Sequence, residues 1–185
     1  MINGNLQTYD DSYIELKDYA KNMYLLKLSV EERYAIKEYT TYSHANINSC
    51  LRKNLKSDDK ITIKLLDSAI KKFDFNKGIT VYRDLSFYDK CEQKKFIKQI
   101  DKGYIFDKGF ISTSLVKGAF NGDIFDFRLQ IDVPAQYDGA YIKYLSYHRS
   151  EEEYLIGRNT KIEILDCERR QVDDKIKFYV LTKIK

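Results

Sequence analysis

Gly78-Ile79-Thr80-Val81-Tyr82-Arg83-Asp84-Leu85 divides this chain in two. Its richness in β-branched residues predicts a strand over Ile79 to Leu85, and Gly78 stands where a helix would stop. Upstream, apolar residues recur at helical intervals. Asp10 to Tyr24 carries Tyr13, Ile14, Leu16 and Tyr19-Ala20 in that pattern. Ser29-Val30-Glu31-Glu32 has the form of a capping box, Ser29 accepting from the Glu32 amide while the Glu32 carboxylate reaches back. The helix it starts is expected to end near Thr40-Thr41, with Ser43 opening another that holds Ile47, Cys50 and Leu51. Ser57-Asp58-Asp59 signals a further start, and Asn76-Lys77-Gly78 is expected to close that helix. Downstream, Lys90 to Ile100 reads as a short helix. Strands are expected at Lys108 to Leu115, Asp126 to Val133, Ala140 to Lys143, Glu152 to Ile156, Lys161 to Arg170 and Lys175 to Lys183. Helices first and strands afterwards predict an α+β fold. N-terminal helices (residues 10–76) would flank two packed, mainly antiparallel β-sheets (residues 78–185). With no repeat or linker in view, residues 1–185 read as one domain.

Composition narrows the function. The chain has 185 residues, 43% of them hydrophobic and 32% charged, which suits a globular domain with a real core. A net charge of +4 is mild, and its basic residues alternate with acidic ones, so nucleic acid is not an expected partner. Cys50, Cys91 and Cys167 lie far apart without CxxC spacing, giving neither a disulfide framework nor a zinc site. His44 and His148 are the only histidines, too little material for histidine-centred catalysis or a His-rich metal centre. No apolar run is long enough to span a membrane, and Met1 to Asp10 lacks the pattern of a signal peptide.

Three short motifs carry chemistry. Arg83 lies inside an apolar strand, where a guanidinium is costly unless it is paired or faces a cleft, and its fixed donors suit phosphate oxygens. Ser112-Thr113-Ser114 places hydroxyls in an otherwise buried strand, where they can bond a carboxylate or a ligand. Ser150-Glu151-Glu152-Glu153-Tyr154-Leu155-Ile156 leads three acids into a strand. In an extended chain Glu151 and Glu153 would share one face and Glu152 the other. Each motif alone is equally compatible with an edge salt bridge, an ordinary strand or a solvated strand end.

Their order and flanking text resemble the Arg-Ser-Glu class of bacterial mono-ADP-ribosyltransferase toxins. The resemblance rests on Gly78-Ile79-Thr80-Val81-Tyr82-Arg83, Lys108-Gly109-Phe110-Ile111-Ser112-Thr113-Ser114-Leu115, and Glu151-Glu152-Glu153-Tyr154-Leu155-Ile156-Gly157-Arg158-Asn159-Thr160. Ala35 to Thr40 and Ile47 to Arg52 are similar to the helical segment such toxins carry ahead of the Arg strand. It spans Leu28 to Ile184 and is strongest toward the catalytic domains of binary actin-modifying toxins and single-domain exoenzymes.

The resemblance implies an NAD-dependent enzyme that moves ADP-ribose to an arginine of a host protein and releases nicotinamide. It implies NAD as co-substrate, no metal, and actin as one potential acceptor. Glu153 would hold the ribose 2′-hydroxyl and face the developing cation. Arg83 would grip the phosphates, with Tyr82 beside it, and Ser112 would orient Glu153. Thr113 and Ser114 would support the pocket wall. Glu151 would orient the acceptor and take its proton, since a carboxylate here goes with arginine and Gln with asparagine. Tyr39 and Asn48 match NAD-touching helix positions, with His44 in place of the intervening aromatic. Phe120, or Phe125 in its stead, would stack on nicotinamide, and Tyr147 would recognise the protein substrate. Asp84 would set a negative charge near the phosphates. Glu152 is expected to point away and be neutral to function. The same resemblance implies a monomer, secreted and acting in a target-cell cytosol, either alone or within a larger or binary toxin. An NAD glycohydrolase and a non-catalytic binding module on the same fold are the alternatives.

Overall fold

The computed structural model describes residues 6–119 and 124–185. The helical half begins with α1 (Leu6–Tyr19), which passes through a π-helical turn (Ala20–Tyr24) into α2 (Leu25–Lys27). This run is longer at both ends than the Asp10 to Tyr24 expected from sequence. Leu16, Ala20 and Tyr24 recur every fourth residue and are fully buried, forming its inner stripe. Ser29 caps α3 (Val30–Glu38) with both halves of the capping box in place. The chain then continues through a second π-helical turn (Tyr39–Ser43) directly into α4 (His44–Lys53). The expected break near Thr40-Thr41 is therefore absent, and Ser43 makes no capping bond. Instead the Thr40, Thr41 and Ser43 hydroxyls bond back to the carbonyls of Lys37 and Glu38, at 2.6–3.0 Å. These bonds satisfy acceptors that the π turn displaces from the regular ladder.

Helix α5 (Lys60–Lys71) buries Ile63, Leu66, Ala69 and Ile70. It ends seven residues before Gly78, because Phe73 and Phe75 are drawn into the core as an extended segment. Phe73 sets its ring edgewise against Tyr19 and Tyr24, with centroids 5.2 and 4.9 Å apart. One buried carboxylate ties α3 to α5. Glu32, 3% exposed, accepts from the Ser29 amide, the Ser68 hydroxyl and Lys72 Nζ at 2.7–2.8 Å.

The remaining elements are β1 (Ile79–Leu85), α6 (Lys90–Asp101), β2 (Tyr104–Asp107), β3 (Ile111–Ser114), β4 (Phe127–Val133), β5 (Gly139–Tyr141), β6 (Glu153–Ile156), β7 (Thr160–Val172) and β8 (Lys175–Ile184). Strand order is β2-β7-β8-β4-β1-β3-β6-β5, antiparallel except for the β4–β8 pair. Strand β1 pairs with β4 along its whole length but with β3 only at Tyr82↔Ser114. That single pair pinches the sheet into a five-stranded and a three-stranded wing, which is the form the two expected sheets take. Strand β2, which the sequence did not suggest, follows Gly103. That glycine has φ +81°, a left-handed helix stop that an L side chain would strain.

Candidate active site

A cavity of about 330 Å³ opens at the pinch between the wings, walled on its other side by the helical run through α3 and α4. Its lining comes from segments far apart in sequence. Tyr39, His44, Asn48 and Arg52 come from the helix, Arg83 from β1 and Ser112 from β3. Glu153 comes from β6, and His148 and Glu151 from the turn that precedes it.

The second π turn makes the helical wall. In an unbroken α-helix, nine residues are about two and a half turns, so Tyr39 and Asn48 would face opposite ways. The extra residue accommodated by the π turn winds Tyr39 back onto the face of Asn48. The two side chains meet there, Asn48 Nδ2 donating to the Tyr39 hydroxyl at 2.9 Å. The Asn48 side-chain oxygen accepts from the Phe110 amide, also at 2.9 Å, and so pins the helix to the start of β3. Gly109 permits this approach, since a Cβ there would lie 2.7 Å from Asn48 Oδ1. Gly109→Ala is therefore expected to displace Asn48 and weaken binding in the cavity. A ligand titration should show about a three- to ten-fold loss, the equivalent of roughly one misplaced hydrogen bond.

On the sheet side, β1 and β3 part beyond Tyr82↔Ser114, and the Ser112 carbonyl accepts from Arg83 Nη1 at 2.7 Å. Among the described residues no carboxylate lies within ion-pair distance of Arg83, and enclosure pulls its pKa below the ordinary arginine value. The guanidinium thus keeps donors for an anion. Arg52, by contrast, is clasped by Asp107 through two bonds of 2.8 and 2.9 Å. Arg52 and Arg83 also line a second, mostly apolar hollow of about 380 Å³, walled by Leu85, Phe87, Phe96 and Ile111, so the two hollows meet at these arginines.

Glu153 is 4% exposed and accepts from the Ser112 hydroxyl at 2.5 Å and from the Ser146 hydroxyl at 3.4 Å. Burial is the largest influence on it, and the Glu151 charge adds to it. Against the Ser112 bond, they lift its pKa to about 7. Glu151 sits nearer the surface, where burial also raises its pKa and His148 and His44 oppose the rise.

Glu151 and Glu153 do share the cavity, but not through strand alternation. Arg149–Glu151 is a 3₁₀ turn and Glu152 is left-handed, with φ +49°, before β6 begins. That turn swings Glu152 outward, where Lys17 (3.1 Å), Lys143 and the Tyr141 hydroxyl hold it. It is a structural clamp between α1 and β5, rather than a bystander.

The other sequence-predicted residues divide. Tyr39 and Asn48 line the cavity, as does His44. Tyr82 alternates with Arg83 on β1 and so faces the other side of the sheet. Thr113 and Ser114 stand behind the cavity and do not line it. Thr113 is fully buried and bonds the Tyr154 carbonyl at 2.5 Å. Ser114 bonds the Glu151 carbonyl at 2.6 Å, holding the turn that carries that acid. Phe125 is buried against Tyr179, beneath Arg128, and does not line the cavity. Phe120 lies outside the described residues. Tyr147 is exposed beside the site, its amide donating to the Thr40 hydroxyl at 3.0 Å. Asp84 is bound by Arg128 at 2.7 and 2.8 Å, on the face of β1 opposite Arg83, so its charge is neutralised away from the cavity.

Sequence reasoning passed over Ser146, Arg52, Thr40 and His148 as site residues. Only His148 left a signal, as one of two histidines in the chain.

The chain was compared with known proteins. The ADP-ribosyltransferase exoenzyme profile matches residues 13–185. An NAD(+)–arginine ADP-ribosyltransferase, EFV of Enterococcus faecalis, is 32% identical over 156 residues, covering 75% of this chain and 30% of the relative. The chain thus spans about a third of that protein's length. Among solved structures, Plx2a, an ADP-ribosyltransferase toxin from Paenibacillus larvae, superposes with a TM-score of 0.79 at 22% identity, covering 96% of each chain. The Clostridium limosum C3 exoenzyme gives 0.73 at 23% identity, over 98% of this chain and 97% of that one. The C2-I component of the Clostridium botulinum C2 toxin gives 0.74 at 21%, over 94% of this chain and 46% of that one. At these identities the structures speak for the fold.

Proposed function

The chain belongs to the ADP-ribosyltransferase exoenzyme family, and on that premise we propose that it transfers ADP-ribose from NAD to an arginine of another protein, releasing nicotinamide. The observation that carries this reading is the meeting of Arg83, Ser112, Glu151 and Glu153 on one cavity. The donor set suits NAD. Arg83 keeps free donors for the pyrophosphate, and the apolar hollow beyond it gives the adenosine half a surface to lie on.

Glycosidic cleavage of NAD leaves positive charge on the ribose, and the nicotinamide departs with the bonding electron pair. Glu153 is the group to stabilise that charge, held by Ser112 and screened from water so that its field acts at low dielectric. Glu151 orients the incoming guanidinium and takes the proton released as the guanidino nitrogen bonds to the ribose carbon. Because Glu153 works as the anion and titrates near 7, turnover should rise with pH through about 7.

Residues 1–185 act, in this reading, as one catalytic domain. We place its action in the cytosol of a target cell after export, as a monomer or as the catalytic part of a larger toxin, and take actin as the acceptor to test first. The division of roles is checked with Glu151→Gln, using agmatine as a minimal guanidine acceptor. Labelling should fall by about 10²–10⁴-fold, the usual loss for a general base, while NAD hydrolysis is largely retained. Equal loss of both activities would assign Glu151 to cleavage instead of transfer.

A further inference from the structure

Glu151, Glu152 and Glu153 are adjacent, yet their carboxylates are held by different means. That of Glu153 accepts from the hydroxyls of Ser112 and Ser146. That of Glu152, its side chain 14% exposed, meets three donors from other parts of the fold. These are Lys17 Nζ of α1 at 3.1 Å, the Tyr141 hydroxyl of β5, and Lys143 Nζ just beyond β5. The Glu151 carboxylate makes no hydrogen bond to the rest of the protein among the described residues. The place of Glu151 is therefore set by its backbone.

Two attachments fix that backbone. On the side of β3, the Ser114 hydroxyl donates to the Glu151 carbonyl at 2.6 Å and the Leu115 amide to the Glu152 carbonyl at 3.0 Å. On the side of α1 and β5, the attachment is the Glu152 carboxylate. Glu152 follows the 3₁₀ turn Arg149–Glu151 with φ +49° and ψ +46°, a left-handed conformation that a residue with a side chain keeps only where its surroundings impose it. Lys17, Lys143 and Tyr141 are those surroundings. Neither lysine has another carboxylate within ion-pair distance among the described residues. Burial opposes ionisation of Glu152, but the bonds from Lys143, Tyr141 and Lys17 outweigh it and hold its pKa below the ordinary carboxylate value. The clamp is thus charged at neutral pH. Glu153 depends on it less. It opens β6, pairs with Ser114 in the ladder, and its carbonyl accepts from the Ile142 amide at 3.0 Å.

We propose that Glu152 is a positioning residue for the transfer step: clamped by Lys17, Lys143 and Tyr141, it fixes the turn that aims Glu151 at the acceptor guanidinium. The inference rests on the arginine-transfer reading above. Hydrolysis of NAD needs Glu153 against the developing cation and a water, and neither is held by the clamp. Transfer needs in addition a guanidino nitrogen at the ribose carbon with Glu151 beside it to take the proton, an arrangement that tolerates little displacement. Loosening the clamp should therefore depress transfer and spare hydrolysis. The clamp also gives α1, which supplies no residue to the cavity lining, a part in acceptor chemistry.

The test compares agmatine ADP-ribosylation with NAD hydrolysis on the same preparations. Glu152→Gly removes the clamp but suits the left-handed backbone, so the turn itself is kept. Lys17→Met joined to Lys143→Met leaves Glu152 in place and removes its cations. In each, the transfer-to-hydrolysis ratio is expected to fall about ten- to a hundred-fold, the scale of a reacting group displaced by up to about 1 Å. The loss should appear in kcat for agmatine labelling, with kcat and KM for NAD hydrolysis unchanged. A ratio that stays the same or rises, or an equal fall in both activities, would overturn the positioning role while leaving arginine transfer standing. If Glu152→Gly does not fold, the lysine variant decides by the same criteria. Absence of agmatine labelling by the unmodified protein, with NAD hydrolysis present, would overturn the arginine reading and the positioning role with it.

Discussion

Glu153→Gln should abolish turnover and, at neutral pH, make the protein more stable. The activity loss follows from removing the carboxylate set against the developing cation, on the order of 10²–10³-fold or more in kcat. The stability gain follows from linkage. Burial lifts the Glu153 pKa from the ordinary carboxylate range to about 7 in the folded state. Below pH 4.5 the group is protonated in both folded and unfolded chains and costs nothing. Between about 4.5 and 7 the unfolded chain releases the proton while the folded chain keeps it, so stability falls as pH rises. Above 7 the folded chain holds a buried anion, at a cost on the order of 3 kcal/mol at most. Gln carries no such charge and keeps both contacts, its oxygen accepting from Ser112 and its amide donating to Ser146. The variant's Tm should exceed that of the unmodified protein near pH 8, by about 2–4 °C for each kcal/mol. The gap should close near pH 4.5. A Tm difference that stays constant with pH would show that Glu153 is not the buried titrating group. The carboxylate is thus kept at a cost to the fold, as expected of a group retained for chemistry.

How much of this was open to a reader of the sequence depends on how local the cause is. The Ser29 capping box and strand β1 were legible because their signals lie within a few adjacent residues. The α+β order and the Arg83, Ser112, Glu153 set were legible from spacing along the chain together with family resemblance. The π turn at Tyr39–Ser43 was not. Thr40, Thr41 and Ser43 are the residue types that also end or begin helices, and only the register of the backbone decides which they do. That one turn determines whether Tyr39 and Asn48 share a wall. Glu152 was foreseen to point away, but for the wrong reason, because a left-handed residue and a 3₁₀ turn replaced the assumed strand. Strand β2 escaped because four residues following a helix carry too little pattern, and its pairing partner in β7 lies more than fifty positions on. Ser146 and His148 act through contacts set by the fold, which no spacing along the chain discloses.

Asp84→Ala is expected to be among the most destabilising single changes in the chain, while leaving the affinity for NAD in the surviving folded protein unaltered. From sequence, Asp84 beside Arg83 suggested a charge working against phosphate binding. In the fold the two side chains leave opposite faces of β1, and Asp84 pairs across the ladder with its register partner Arg128. The pair is nearly dry, with side chains 2% and 9% exposed. Arg128 also lies over the Phe125 ring, 4.0 Å from its centroid. Removing the carboxylate deprives this enclosed guanidinium of the Asp84 charge and of two short hydrogen bonds, which costs about 3–5 kcal/mol. Thermal unfolding should show a Tm drop on the order of 10 °C. Joining Asp84→Ala to Arg128→Met should recover much of the loss, since Met keeps a long apolar stem over Phe125 and needs no counter-ion. If the Asp84→Ala protein instead keeps its Tm and binds NAD more tightly, the Asp84 charge does reach the phosphate site and its pairing with Arg128 counts for little. The contrast between neighbours is the physical point. Arg83 and Asp84 are adjacent in sequence, yet strand alternation gives one to the cavity and the other to the fold.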